Sequence, residues 1–242
     1  MAKVGTGSAP RRKRPAARSR RRRAASGWRR SVRAAVGLLA VAGLVRVVAV
    51  QAFRIPSRSM EDTLLVGDYL LVEKISYGAR IPFTSVRVPG LSHPARGDVV
   101  VFHAPAEPDK VFAKRCVAAG GQVVEVRNKV IYVDGTRIVD PRHSKYVDPR
   151  IYPGPENPRD NFGPLRVPPG TTFVVGDNRD NSRDSRHWGV VSEQAVVGQA
   201  AFLYWSCEPL GLPEQAGPNS LVRRLLSLPG RVRWGRVGQW IR

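Results

Sequence analysis

The sequence predicts an all-β body made of several small packed antiparallel sheets, carried behind one N-terminal transmembrane helix. Three observations predict it. Residues 34–53 form the only stretch apolar enough to enter a bilayer, and their length at about 1.5 Å rise per residue matches a hydrocarbon core. Beyond it lie short runs rich in Val, Leu, Ile and aromatic residues, each following turn residues such as Gly67-Asp68 and Arg96-Gly97. No long amphipathic helix is visible between those runs, so small sheets are the economical architecture.

Taken in order, residues 1–31 are Arg, Ala, Ser, Gly and Pro with almost nothing to bury, and a disordered cytoplasmic tail is expected. Residues 32–53 are assigned to the membrane helix, with Arg46 near its outer end able to snorkel toward the headgroups. Positive charge at its amino end places the tail inside and everything after Phe53 outside. A cleavable secretory signal is the competing reading, because Val50-Gln51-Ala52 loosely fits a small-x-small cleavage site.

Residues 54–210 are assigned to the extracytoplasmic domain. Strands are expected over 69–74, 98–103 and 111–117, then over 122–139 with breaks at Arg127-Asn128-Lys129 and at the hairpin signal Asp134-Gly135. Density of Pro, Arg, Asp and Asn over 141–164 predicts an irregular excursion, so about 120–170 is read as an inserted subdomain. Strands return over 172–175 and 196–206. Residues 211–242 are expected to be a basic tail, disordered or lying on the lipid surface.

The formal charge of +21 suggests nucleic acid until its distribution is examined. Residues 1–33 carry thirteen basic residues and no acid, residues 223–242 carry six more, and about +2 remains for the middle. The body is nearly neutral. Such tails suit anionic headgroups, which attract each Lys or Arg near the surface by roughly 1 kcal/mol, and no specific nucleic acid is expected. Cys116 and Cys207 are too few for a disulfide framework and lack metal-ligand spacing. One bridge or two buried thiols are both open, with the balance toward thiols.

Just beyond the apolar stretch stands Ile55-Pro56-Ser57-Arg58-Ser59-Met60-Glu61-Asp62-Thr63-Leu64. If the chain continues extended from Pro56, Ser57 and Ser59 point to one side, and one serves as nucleophile while the other assists. Taken alone the stretch also reads as a polar linker. Three further segments change that balance. They are Gly67-Asp68-Tyr69-Leu70-Leu71-Val72-Glu73-Lys74; Arg96-Gly97-Asp98-Val99-Val100-Val101-Phe102 with Lys114-Arg115; and Gly176-Asp177-Asn178-Arg179-Asp180-Asn181-Ser182-Arg183-Asp184-Ser185-Arg186. In this order, behind a membrane anchor, they resemble the boxes of bacterial type I signal peptidases over roughly residues 34–206.

That resemblance implies a membrane-bound Ser/Lys serine protease, related in fold to the repressor-type proteases, that removes signal peptides from exported preproteins. It implies Ser59 as nucleophile, Lys114 as general base, Ser57 with the Ser59 N–H as the oxyanion hole, and Ser182 as the hydroxyl orienting the lysine. Asp177, Asn178, Asp184 and Arg186 are implied as structural support of the site. No metal and no organic cofactor is expected, the partners are signal peptides and the phospholipid membrane, and the chain is expected to act as a monomer. It departs from the pattern at Asp62, commonly proline, and at Ala119-Gly120-Gly121-Gln122, where Pro-Gly-Asp is usual.

The residue types suit the chemistry. A serine hydroxyl is a poor nucleophile until a neighbouring base takes its proton. An ordinary lysine, pKa about 10.4, is neutral only some 0.04% of the time at pH 7, a handicap of roughly 4.6 kcal/mol, and burial among apolar groups such as Met60, Val111, Phe112 and Val117 would reduce it. His93, His103, His143 and His187 offer no clear alternative base, though a triad through His187 stays open to geometry. Asp177, Asp180 and Asp184 lack the glycine and terminal glutamate of a calcium loop. Two other functions remain open: a dedicated maturation or self-cleaving Ser/Lys peptidase, and a catalytically silent membrane-tethered scaffold with nucleic-acid-binding tails.

Overall fold

In the computed structural model, residues 5, 30–39, 41–43, 49–78, 86–209 and 230–241 are described. The chain divides into two compact units, residues 1–44 and 45–242. In the first, 30–39 and 41–43 are helical and exposed, and apolar side chains such as Val36, Leu38 and Leu39 face outward. No helix of the described residues is long and apolar enough to cross a membrane. Most of the expected disordered tail, residue 40, and residues 44–48 lie outside the described residues. The far end of the expected membrane helix differs from its assignment. Val50–Arg54 is a strand, β1, paired antiparallel with β2, Asp68–Glu73. Four residues from Val50 to Phe53, interrupted by Gln51, are too few to show a period, and the strand follows from the pairing with β2.

The second unit is mostly β, and among the described residues every pair of strands in it is antiparallel. After β2 come β3 (Val99–Ala104), β4 (Glu107–Ala119), β5 (Val123–Arg127), β6 (Val130–Val133), β7 (Thr136–Arg137), β8 (Phe162–Arg166), β9 (Thr171–Val175), β10 (Val191–Ser192) and β11 (Val196–Ser206). They form not several small sheets but two: seven strands in the order β1-β2-β11-β3-β4-β9-β10 and four in the order β7-β6-β5-β8. The expected hairpins are present. Asn128 and Lys129, and likewise Asp134 and Gly135, take positive φ at the two central turn positions, the geometry whose twist matches paired strands. Strand β8 begins inside the stretch read as irregular, where the density of Pro, Arg, Asp and Asn had argued against a strand.

Alternation along β3 splits the large core in two. Val99 and Val101 point to one cluster with Ile55, Met60, Leu64, Leu70, Val72 and Leu203; Val100 and Phe102 point to the other with Cys116, Val174 and Val191. A third cluster, centred on Val124, Ile131 and Phe173, fills the small sheet. Cys116 and Cys207 are both free thiols, the first buried and the second only partly so. At Ala119–Gln122 the turn is closed by the glutamine, whose Oε1 accepts from the Ala119 N–H at 2.9 Å.

The last described segment, 230–241, folds back onto the body instead of trailing as a tail; residues 210–229 and 242 lie outside the described residues. Val232 bridges to Cys207 and Trp240 to Phe202, and Ile241 packs on the core beneath the 55–64 loop. The alternation of arginine with apolar residues has a cause. Asp68 is fully buried, and it accepts from Arg236 Nη2 at 2.6 Å, Ser206 Oγ at 2.6 Å and the Leu65 N–H at 2.8 Å, with Arg233 Nη2 3.3 Å away. Arg236 also donates to the Thr63 carbonyl at 2.9 Å, which ties the segment to the loop that carries Ser59.

Replacing Arg233 and Arg236 together by alanine strips a buried carboxylate of its counter-charges. Urea unfolding is expected to show a loss of about 3 kcal/mol, partly recovered when Asp68→Asn is added. An unchanged midpoint in the double variant would mean that the segment does not hold the loop.

Candidate active site

Pro56 fixes an extended entry, and the chain then tightens into turns from Ser59 to Thr63, closed by Glu61 N–H to the Arg58 carbonyl at 3.0 Å and Leu64 N–H to the Met60 carbonyl at 2.6 Å. Met60 and Leu64 are sunk in the core and anchor the turn from below. The two-residue spacing brings Ser57 Oγ and Ser59 Oγ to 3.2 Å of each other. Asp62 takes φ 77°, a left-handed conformation that Asp tolerates and that proline, with φ held near −65°, cannot adopt. The departure at this position is therefore a departure in backbone path.

Lys114 comes from β4, opposite Val100 of β3, and its Nζ is in direct hydrogen-bond contact with Ser59 Oγ. The lysine is 3% exposed and Ser59 8%. The Phe112 ring centroid is 5.7 Å from Nζ. Burial depresses the ammonium to a pKa of about 8; Asp184 and Asp177 act in the opposite direction, and Arg186 adds to the depression. Of the residues expected to line the lysine, Met60, Val111 and Phe112 line the pocket next to Ser59, while Val117 packs in the core of the small sheet. No histidine hydrogen-bonds to Ser59 among the described residues.

The Gly176–Arg186 segment closes the site from the other side. Asn178 N–H donates to the Ser59 carbonyl at 3.1 Å, and Asn178 Nδ2 donates to the Arg58 carbonyl at 3.2 Å. Asp177, fully buried, accepts both Nε and Nη2 of Arg115 at 2.8 and 2.7 Å and the Thr63 hydroxyl at 2.6 Å. Asp184 caps the short helix Ser185–Trp188 and accepts from the Gly176 N–H at 3.0 Å and from Arg186 Nε and Nη2 at 2.8 Å each. Burial would raise the Asp184 carboxyl, but Arg186 overrides it and holds the group at about 2. Asp180 pairs with Lys129 at 2.8 Å. Each of the three acids weighed as calcium ligands is thus matched to a base.

Ser182 is brought to the site but does not hydrogen-bond to Lys114. Its Oγ is buried and without a hydrogen-bond partner among the described residues, and a Cβ built on Gly176 would lie 2.2 Å from it and 2.5 Å from the Ser59 carbonyl oxygen. Glycine at 176 is what lets these segments meet. Sequence reasoning assigned no role to Arg115, Thr63 or Lys145. Lys145 Nζ reaches Glu61 at 3.1 Å and Asp62 at 3.3 Å from the excursion after β7. Arg115 follows Lys114 directly in the third box, so alternation along β4 was the available signal; Lys145 carried none.

The site opens two ways. A mainly apolar pocket is lined by Phe53, Ile55, Pro56, Leu70, Val101 and Ala113. The second cleft is lined by Lys114, residues 104–107, Asn181, Arg183 and Trp188, and both share Ser57, Ser59 and Phe112.

The family described as signal peptidase, peptidase S26, matches residues 28–205. The chain is similar to the probable signal peptidase I-1 of Synechocystis, 36% identical over 180 residues that cover 72% of this chain and 80% of that protein. It is 33% identical to the signal peptidase I of Pseudomonas fluorescens over 196 residues, 69% of this chain and 68% of that protein. The signal peptidase I of Aquifex aeolicus is 32% identical over 249 residues, 81% of this chain and 91% of that protein.

Two outcomes are expected from this geometry. Between about 8 in the folded protein and the ordinary 10.5 of a solvated lysine, the unfolded chain binds the extra proton, so stability should rise with pH across that window and be flat in this respect below it. Lys114→Met should abolish the rise and stabilise the protein at pH 7 by about 3 kcal/mol, read from unfolding curves in a pH series. Gly176→Ala should cost about 1–3 kcal/mol by forcing Ser182 and the Ser59 backbone apart; an equally stable alanine variant would contradict the close approach.

Proposed function

The chain belongs to the peptidase S26 family of signal peptidases, and on that premise we propose that it is a serine endopeptidase that removes N-terminal signal peptides from exported preproteins. The cut comes after a small-x-small, Ala-x-Ala type motif at the outer face of the cytoplasmic membrane. One observation carries the reading at the level of chemistry: a lysine buried to 3% exposure and held near a pKa of 8, with its Nζ against the hydroxyl of Ser59.

Neutral Lys114 takes the Ser59 Oγ proton as Oγ attacks the scissile carbonyl carbon. Negative charge collects on the carbonyl oxygen, where the Ser59 N–H and the Ser57 hydroxyl donate to it. Collapse breaks the C–N bond, the proton on Nζ passes to the departing amine, and the signal peptide is left as an ester on Ser59. Water, deprotonated by Lys114, then attacks the ester, and Ser59 regains its hydrogen. Every group in this cycle comes from one chain, which supports a monomer as the working unit.

Substrate placement rests on an unpaired edge. Strand β4 pairs with β9 only from Arg115 onward, so Val111–Ala113 offers free backbone groups beside the 54–57 segment. An extended peptide can enter there as an added strand, with its small side chains toward the apolar pocket. The exposed apolar helix at 30–39 and 41–43, behind a basic and acid-free tail, supports a single N-terminal anchor with the tail in the cytoplasm. Trp234 and Trp240, 63% and 72% exposed on the folded-back segment, support contact with the lipid interface.

Purified full-length protein in detergent should trim a preprotein after Ala-x-Ala, with a rate that rises with pH through about 8 as Lys114 loses its proton. Ser59→Ala and Lys114→Ala should each lose on the order of 10⁴-fold or more, and Ser57→Ala about 10²- to 10³-fold. Persistent cutting by Lys114→Ala would place the base elsewhere. An inert wild type would return the protein to the scaffold reading.

A further inference from the structure

The two openings beside Ser59 differ in one chemically decisive respect. Lys114 lines the second cleft and not the apolar pocket. In the catalytic cycle, the proton that Nζ takes from Ser59 must reach the nitrogen of the departing chain as the C–N bond breaks. That nitrogen must therefore lie on the side of the serine where Nζ is accessible. The apolar pocket, fenced by Ile55, Pro56, Leu70 and Val101, has Arg54 as its one charged lining residue, and a guanidinium that stays protonated cannot relay the proton.

The walls of the second cleft carry an uneven charge. Arg58 and Arg183 are exposed on it, and neither guanidinium has a hydrogen-bond or ion-pair partner among the described residues. Its one lining carboxylate, Glu107, is already engaged by Lys110. Lys114 is neutral when it acts as a base. The cleft thus presents two uncompensated positive charges to whatever leaves through it. The buried arginines of the site are matched to carboxylates, Arg115 to Asp177 and Arg186 to Asp184, and Arg54 at the apolar pocket lies over the Tyr69 ring.

We propose that this cleft is the binding site for the first residues of the mature chain, on the carboxyl side of the cut, and that Arg58 and Arg183 make it selective for an acidic side chain there. The proposal rests on the assignment of Ser59 and Lys114 and adds a specificity to it. The apolar pocket reads the signal peptide, and the basic cleft reads the start of the mature chain. Because both arginines are solvent-exposed, the selectivity is modest and weakens with salt.

The test uses full-length protein and peptides with one Ala-x-Ala site, identical except for Asp or Lys at the first or second residue after the cut. At low salt the wild type should show kcat/KM about threefold higher for Asp than for Lys at one or both positions, and the ratio should fall toward one in high salt. Arg183→Glu should abolish or invert the ratio, and Arg183→Lys should keep it. If the wild type cuts all peptides equally, or if Arg183→Glu leaves the ratio as it was, the proposal is wrong while the peptidase assignment stands. Loss of cutting in Ser59→Ala across the whole set tests that assignment separately. A general loss of folding would lower every rate together and leave the ratio untouched, so the ratio reads charge and not stability.

Discussion

Everything at this site depends on keeping water from one ammonium group. Lys114 sits on an interior strand of the seven-stranded sheet, with Phe112 beside it and the 55–64 loop over it, and the desolvation moves its pKa down to about 8. The sheet is the instrument of that desolvation. Strand β4 is anchored on one side by β3 along most of its length and on the other by β9 from Arg115, so the lysine cannot swing out to solvent without unzipping a ladder. The same placement destabilises the folded chain at neutral pH, a cost of the kind found where a fold keeps a reactive group in an unfavourable environment.

The buried acids around that lysine are each held by an arginine. Asp177 is neutralised by Arg115 and Asp184 by Arg186, both with two-pronged geometry that fixes orientation as well as charge. These pairs are also mechanical. Asp177 holds Thr63, Asn178 holds the carbonyls of Arg58 and Ser59, and Lys145 holds Glu61 and Asp62, so the turn bearing the nucleophile is gripped at both ends. With its positions so constrained, the serine hydroxyl has little freedom to leave the lysine.

Much of this was legible in the sequence, for reasons that can be named. The alternation of a strand follows from covalent geometry alone, and it brought Ser57 and Ser59 onto one side, 3.2 Å apart. Asp134-Gly135 and Asn128-Lys129 gave hairpins because few residue pairs take two positive φ values in succession. What escaped was information the chain does not carry locally. Residues 50–53 close the longer apolar stretch read as a membrane helix and become a strand because β2 is there to pair with them. The arginines of the last segment looked like a solvated tail because their partner, Asp68, is 168 residues away. Ser182 reached the right neighbourhood, but its hydroxyl makes no hydrogen bond among the described residues, and its orientation is not something a motif encodes.

That separation of 168 residues between Arg236 and Asp68 has a temporal side. A contact closing so long a loop forms late, since its entropy must be spent before the ion pair returns anything. Until residues 230–241 have been synthesised and laid along β11, the Thr63 carbonyl lacks its arginine and the buried Asp68 lacks its counter-charges. The segment that steadies the serine-bearing loop is thus the one farthest along the chain from it among the described residues.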